Sequence, residues 1–396
     1  MNRRILALLL ALVMVAGLMT GCASGKQEAA APETAQTESP AAEETAAEPD
    51  QTEEVPAEEE APKAPETVSF TDSLGRTVDL PADITRIAPS GAVATMILAA
   101  IAPECMVTIN AAPSERQMAF LPANLAALPE TGQMYGSKAD LNLETLLAAD
   151  PQVVIDLGDK KGDMTEDLDA LQAQIGIPVV FIEADLAHMA AAFRTLGGLL
   201  SGKSDRGEEL AALVDRTTAI AEENAAKITD DMRVRAMYTT GEDGLGTNAT
   251  GSMQAQVLDM VGVENAVVVE DVSNKGGGNI ISLEQLYNFD PDVILFADGS
   301  IYDTVADDSA WSQLTAISTG KYYEVPGSPY NWLSGPPSMN MILGVWWLGN
   351  LIYPEIYDYD METMTQELYK TLWGYELSSE EVTALLGNST LKAAAQ

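Results

Sequence analysis

The sequence predicts an α/β protein of two lobes with parallel sheets, joined by a single long α-helix, with a ligand cleft between the lobes. Three observations lead to this fold class. One short segment occurs twice at a long interval, and short apolar runs alternate with helical stretches. One amphipathic helical pattern also lies between the two halves.

The repeated segment is a helix followed by a strand. Residues 141–146 (LNLETL) precede residues 150–155 (DPQVVI), and residues 281–286 (ISLEQL) precede residues 290–295 (DPDVIL), at a constant offset of 140 residues. Each copy has a short helix, a proline-marked break and an apolar run typical of a buried strand in a parallel sheet. A repeat at this long interval favours duplicated lobes over a solenoid.

Further apolar runs and one long helix complete the pattern. The additional strands are predicted at residues 86–89, 179–182 and 233–238. Ser204 is a favourable N-cap for a helix reaching about residue 227, which would span about 36 Å and permit only a slight rocking of the lobes. The predicted boundaries are a first lobe at 67–203, the connecting helix at 204–228, a second lobe at 229–388 and a tail at 389–396.

The N-terminus has the pattern of a secretory signal. Arg3 and Arg4 precede an apolar run that ends near residue 19, which is shorter than the roughly 20 apolar residues of a membrane span. Residues 18–22 (LMTGC) resemble a bacterial lipobox, in which Cys22 would be lipidated; an ordinary secretory cleavage with Cys22 incidental is the alternative. We therefore expect a lipoprotein signal peptide at 1–21 and an extracytoplasmic, lipid-anchored protein.

A disordered acidic tether is expected at residues 22–66, beginning with the lipidated cysteine. Residues 26–66 contain 13 acidic and two basic residues and no aromatic residue. Such a segment cannot bury enough apolar surface to offset its ordering entropy, and its prolines and like charges keep it extended.

Charge and residue usage exclude several classes of function. The formal net charge of −39 argues against a nucleic-acid partner, so membrane contact is expected only through the lipid. Cys105 follows an apolar run and is expected to be a buried thiol, and the single His188 leaves no material for a histidine-rich metal site. The sequence contains neither a Gly-x-Ser-x-Gly elbow nor a catalytic Cys/His pair. We expect a monomeric binding protein with no catalytic residue, no metal site and no cofactor.

The chain resembles the periplasmic-binding-protein superfamily members that serve importers of ferric siderophores, haem and cobalamin. The resemblance covers residues 67–386 and rests on both repeat blocks and on an ordered series of segments: 70–81, 86–90, 241–252, 311–314, 320–326 and 330–338. Where iron-complex members often carry a basic residue before Pro-Pro-Ser, this chain has Gly335.

The resemblance implies two Rossmann-like lobes and a role in import. The protein would capture a small iron complex, with a ferric siderophore as the leading ligand, and deliver it to an ABC permease dimer with its ATPase. Haem or a corrinoid is the alternative ligand. An enzyme on a similar scaffold, or a surface sensor that retained the fold without transport, are the alternatives from other classes.

The resemblance also gives Glu144 and Glu284 a role in docking to the permease. In such proteins, one glutamate on each lobe often pairs with arginines of the two permease subunits. The repeat independently places these two residues at matching positions. Each would otherwise be a favourable charge in the first turn of a helix.

The ligand cleft is expected where the carboxyl ends of the strands meet. Tyr135, Tyr330 and Trp332 are candidates for stacking on the ligand, and Lys160 and Lys161 for offsetting its negative charge. The other candidates for ligand binding are polar residues that follow predicted strands: Ser90, Glu183, Asn248, Ser252 and Asn331.

Overall fold

The first lobe consists of a hairpin and a parallel three-stranded sheet covered by helices. The computed structural model describes residues 66–135, 139–274 and 277–390. Strands β1 and β2 form an antiparallel hairpin, and β3, β4 and β5 form a parallel sheet in that order. The strands are β1 (Thr67–Thr71), β2 (Thr77–Pro81), β3 (Ile87–Pro89), β4 (Val153–Gly158) and β5 (Val179–Glu183). The helices are α1 (Ala92–Ile101), α2 (Glu115–Met118), α3 (Leu143–Ala148), α4 (Met164–Ile175) and α5 (Met189–Leu199).

The connecting helix α6 (Ser204–Ala225) follows directly. Lys203 takes the N-cap position and Ser204 is the first helical residue, so the predicted cap is displaced by one residue. Backbone atoms of α6 approach α5 closely at Gly207, which lies opposite Gly197. The Arg206 guanidinium donates hydrogen bonds to the Ala100 carbonyl at the end of α1 (3.0 and 2.9 Å). It also donates to the Thr371 carbonyl (2.6 Å). These contacts tie α6 to both halves of the chain.

The second lobe has a mixed sheet in the order β11-β10-β6-β7-β9, with β8 beside β6. The pairs of β6 with β8 and β10, and of β10 with β11, are parallel as predicted, whereas β7 pairs antiparallel with β6 and β9. The strands are β6 (Arg235–Thr240), β7 (Gly246–Thr247), β8 (Glu264–Asn265), β9 (Asn279–Ile280), β10 (Val293–Phe296) and β11 (Tyr322–Glu324). The turn between β6 and β7 is too short for the crossover that a parallel pair needs.

Six α-helices lie in the described residues of the second half, 229–274 and 277–390. They are α7 (Gln256–Met260), α8 (Leu283–Phe289), α9 (Thr315–Ser318), α10 (Met341–Ile352), α11 (Met361–Trp373) and α12 (Ser379–Leu386). Residues 389–396 are predicted as a tail, but Ser389 is buried: its carbonyl accepts from the Trp347 indole N–H, and its hydroxyl donates to the Glu324 carbonyl. No helix in the described part of the chain is both long and apolar enough to span a membrane.

The two repeat blocks adopt the same backbone conformation. Asp150 and Asp290, which are 140 positions apart, are the non-glycine residues of the described chain with a positive φ (51° and 34°). Each follows a short helix, α3 or α8, whose last carbonyls accept hydrogen bonds from an arginine. Arg86 donates to the carbonyls of residues 149 and 150, and Arg235 to those of residues 289 and 290. The matching bonds support duplication of the lobes.

The largest hydrophobic core is continuous between the lobes. It includes Ile87 of β3, Leu210 of α6, Trp346 of α10 and Leu372 of α11. Cys105 belongs to the same core, and burial raises the pKa of its thiol, in agreement with the predicted buried cysteine. The two lobes share packed side chains, and a closely packed core can rearrange only slightly. Closure of the lobes is therefore limited to a small movement.

Candidate functional site

A cleft lies between the carboxyl ends of the strands of the two lobes. It comprises three adjoining cavities of about 440, 300 and 150 Å³. Gly335 borders all three, and Tyr330 and Pro336 each border two of them. The first lobe contributes residues of β4, of α1 and of the segment that follows β3, and the second lobe contributes residues of β6 and of the segments after β10 and β11. The cleft is where the parallel sheets predict it.

Arg116 of α2 extends from the first lobe to the second. A capping box fixes α2, because the Ser114 hydroxyl accepts from the Gln117 N–H (3.3 Å) and the Gln117 side chain accepts from the Ser114 N–H (2.9 Å). The Arg116 guanidinium pairs with the Asp298 carboxylate and donates to the Ser328 hydroxyl. This ion pair spans the open cleft. Because both charged side chains are half exposed, the pair contributes little to the stability of the fold. An anionic ligand group can therefore compete with Asp298 for the arginine.

A buried carboxyl lies at the first-lobe end of the cleft. Asp156 of β4 is 5% exposed, and its Oδ1 accepts a hydrogen bond from the Ser90 hydroxyl. Burial raises the pKa of Asp156, while the hydrogen bond from Ser90 and the positive charge of Lys161 oppose that shift. The Lys161 amine lies 4.9 Å from the centroid of the Tyr135 ring. This part of the cleft therefore combines an acid, an amine and an aromatic ring.

Five of the predicted ligand-binding residues line the cleft. Ser90, Tyr135 and Lys161 border the 300 Å³ cavity, and Tyr330 and Asn331 border the 440 Å³ cavity. Burial raises the pKa of Tyr330 to about 12, so its hydroxyl remains protonated at neutral pH.

The other five predicted ligand-binding residues lie away from these cavities. Trp332 is fully buried and packs against Tyr369, with ring centroids 6.4 Å apart. Its position follows from Asn331, whose side chain accepts from the N–H groups of residues 333 and 334 and turns the chain so that the next side chain enters the core. Asn248 and Ser252 are also buried, and Lys160 is exposed outside the lining. Glu183 is the last residue of β5 and belongs to a separate cluster of side chains.

Glu183, Asp185 and His188 form that cluster, with one ligand atom of each within 4.8 Å of the others. The His188 Nδ1 lies 2.7 Å from an Asp185 carboxylate oxygen. This hydrogen bond, with the charge of Asp185, raises the pKa of His188. This grouping was not predicted from the sequence, because residues brought together by a strand end and the following turn leave no ligand-spacing motif.

Arg116, Asp298, Asp156 and Gln254 also line the cleft but were not among the predicted site residues. One signal in the sequence points to Arg116, because it is the only arginine between residues 87 and 193 and lies within a helix-start pattern, Ser-Glu-Arg-Gln. Asp156 lies within a predicted strand, so its position at the cleft depends on where that strand ends.

Glu144 and Glu284 occupy matching positions on the two lobes. Each is exposed and is the second residue of a capped helix, α3 or α8. Three residues later, each helix has an exposed hydrophobic side chain, Leu147 (46%) on α3 and Tyr287 (42%) on α8. Cys22, the signal peptide and the tether lie outside the described residues.

The family model described as periplasmic binding protein matches residues 106–329. The chain belongs to the periplasmic binding protein family. The resemblance to importer binding proteins is thereby confirmed. Family members bind solutes, rather than acting as enzymes or holding cofactors, and work with an ABC permease and its ATPase. This periplasmic binding protein is therefore of the extracytoplasmic ABC importer type.

Solved structures give the same fold. An ABC transporter solute-binding protein from Sulfurospirillum deleyianum is 29% identical, with 81% of this chain and 99% of that chain covered and a TM-score of 0.74. A periplasmic solute-binding protein from Veillonella parvula is 23% identical (82% and 98% covered, TM-score 0.69). A molybdate periplasmic binding protein from Haemophilus influenzae is 20% identical (78% and 99% covered, TM-score 0.64). No curated protein matches the chain.

Proposed function

We propose that this periplasmic binding protein is the lipid-anchored component of an ABC importer that captures a ferric siderophore. The observation that carries the proposal is the chemistry of the cleft. It offers Arg116, Lys161 and the Tyr330 hydroxyl to a bulky, oxygen-rich ligand. None of the described residues lining the three cavities is histidine or cysteine. Iron held by its own chelator needs no such protein ligand.

Delivery would use the two lobes together. The ligand would replace Asp298 as the partner of Arg116, and the lobes would close slightly about α6 because the shared core limits larger motion. Glu144 and Glu284 would then meet arginines on the two permease subunits. Matching positions on duplicated lobes suit a permease with two similar subunits.

Tryptophan fluorescence of the soluble chain from Ala23 onward tests the ligand. The protein is titrated with ferric complexes of ferrichrome, catecholate and citrate type, with haemin and with cobalamin. The metal-free chelators are the matched controls, and absorbance is measured to correct the fluorescence. Saturable one-to-one binding of a ferric chelate is expected. If only haemin or cobalamin binds, the ligand belongs to that alternative class and not to the ferric siderophores. If none of these compounds binds, the iron-complex proposal is wrong.

Lipid attachment is tested separately at Cys22, which the sequence places after Thr-Gly. We expect metabolic labelling with a fatty-acid analogue to mark the full chain, and the Cys22→Ser variant to lose the label and be released from membranes. Equal labelling of the variant would contradict the anchor.

A further inference from the structure

The 300 Å³ cavity at the first-lobe end of the cleft has the features of an anion site. We call it the first-lobe pocket; it lies between the start of α1 and the short turn Met253–Ala255 of the second lobe. Helix α1 has ten residues, and no side-chain hydrogen bond caps its N-terminal end at Gly91. The first N–H groups of a helix lack partners within it, and the helix dipole makes this end positive. The Lys161 side chain borders the same pocket.

Two buried polar side chains lining the pocket have atoms without a partner. Asp156 is 5% exposed, and its Oδ2 has no hydrogen-bond partner within the described chain. Gln254, which is 4% exposed, donates from Nε2 to the Asn274 carbonyl (3.1 Å), while its Oε1 is unpartnered among the described residues. Buried polar groups normally have hydrogen-bond partners, so these two atoms indicate a ligand that provides a partner for each.

The chemistry of the four groups defines what the ligand must present. The α1 N–H groups and the Lys161 amine require hydrogen-bond acceptors with negative charge. Burial raises the pKa of Asp156, and an anionic ligand oxygen placed against the unpartnered Oδ2 favours the protonated carboxyl, which would donate a hydrogen bond to that oxygen. The Gln254 Oε1 accepts only, so it requires a donor such as a hydroxyl.

Resting on the proposed function, we propose that the first-lobe pocket binds a hydroxycarboxylate group of the ligand. The anionic oxygens lie at the N-terminal end of α1 and beside Lys161. Asp156 donates a hydrogen bond to one of them, and Gln254 accepts one from the hydroxyl. A ferric hydroxycarboxylate chelate and the iron-free hydroxycarboxylate present this same chemistry.

Binding by the wild-type chain separates these sources. The probes are ferric citrate, iron-free citrate, inorganic phosphate and an uncharged ferrichrome-type complex, measured by calorimetry. Saturable binding of ferric citrate above phosphate is expected. Citrate binding equally with and without iron would support the pocket while removing the iron proposal. Binding of the uncharged complex alone, or of no anionic probe, would overturn the pocket.

A charge placed at the start of α1 tests the site directly. Ala92→Asp adds a carboxylate at the first helical residue, which is favourable for the helix and repels an anion in the pocket. Citrate affinity should fall about 100-fold, because the added carboxylate would repel the anion about as strongly as a neighbouring charge that shifts a pKa by about two units. Ser204→Asp adds the same charge at the exposed first residue of α6, outside the pocket, and should change affinity less than about twofold. Equal affinities of the two variants would overturn the inference.

Two further substitutions assign the side chains. Lys161→Gln should weaken citrate binding about tenfold, as expected for loss of one charge-assisted hydrogen bond. Asp156→Asn keeps a hydrogen-bond donor in the same place, so citrate affinity should fall by only about threefold, less than in Lys161→Gln. A large loss in Asp156→Asn, with the fold intact by circular dichroism, would mean that Asp156 binds as an anion and would overturn the assignment.

Discussion

Replacement of Gly207 by alanine should destabilise the protein, although alanine is the better helix former. Gly207 lies in α6, which connects the lobes. A Cβ at this position would lie 2.6 Å from the Phe193 carbonyl oxygen and 2.8 Å from the Gly197 Cα, both in α5. These are backbone atoms, so no side-chain rotation can relieve the clash and the two helices must move apart.

The size of the effect follows from two opposing contributions. Overpacking costs up to about 3 kcal/mol, and replacing glycine by alanine in a helix contributes about 1 kcal/mol of stability. The net loss in the free energy of unfolding is therefore up to about 2 kcal/mol. With a urea dependence of about 3 kcal/mol per molar, the midpoint should fall by up to about 0.7 M.

Urea unfolding followed by circular dichroism measures this change, and Gly198→Ala is the matched control. Gly198 lies in α5, and a Cβ there would meet no atom within 4 Å. Its replacement should raise the midpoint by about 0.3 M through helix propensity alone. If Gly207→Ala were as stable as Gly198→Ala, the close approach of α5 and α6 would be wrong.

Three further predictions concern docking, titration and the core. The double variant Glu144→Arg, Glu284→Arg should abolish uptake by whole cells while ligand affinity stays unchanged, because both residues lie outside the cleft cavities. The hydrogen bond and charge of Asp185 should hold the His188 pKa above 6.5 in an NMR titration, and Asp185→Asn should return it toward 6.5. Trp332→Ala should lower the free energy of unfolding by about 3–5 kcal/mol in urea, because the side chain is fully buried.

Each of these has an outcome that would contradict it. Glu222→Arg, an equally exposed change on α6, is the control for uptake, and normal uptake by the double variant would remove the docking assignment. Because the His188 pKa is raised in the fold, protonation stabilises the protein at low pH, and this stabilisation is lost as pH rises through the folded pKa. An unchanged His188 pKa in Asp185→Asn would refute the pairing. A Trp332→Ala variant with wild-type stability would place that ring outside the core.

Local patterns were sufficient for the elements and their duplication. Each Leu-Glu-x-Leu segment forms a capped helix, and each Asp-Pro-x-Val segment leads into a strand of a parallel sheet. These elements could be predicted because apolar periodicity and proline breaks are visible within a few residues. The positive φ at Asp150 and Asp290 was not anticipated, although the repeat already aligned these residues. The antiparallel β7 and β9 were also not anticipated, since strands of two residues carry no periodic signal.

The cleft depended more on tertiary structure. Loops after strands were predicted as its lining, and Ser90, Tyr135, Lys161, Tyr330 and Asn331 do line it. Which side chain of a loop faces the cleft is decided by turns and hydrogen bonds, as in the segment that turns the neighbouring tryptophan into the core. Sequence distance also concealed the pairing of α2 with the second lobe, because its two charges are 182 residues apart.

The sequence by itself therefore determined the class of fold, the two-lobed plan and the family, all of which rest on short-range patterns repeated along the chain. The tertiary structure alone decided which cations face the cleft, that the buried Asp156 carboxyl borders it, and that the lobes share one core. These properties depend on contacts between residues far apart in the chain, and such contacts arise only when the lobes pack.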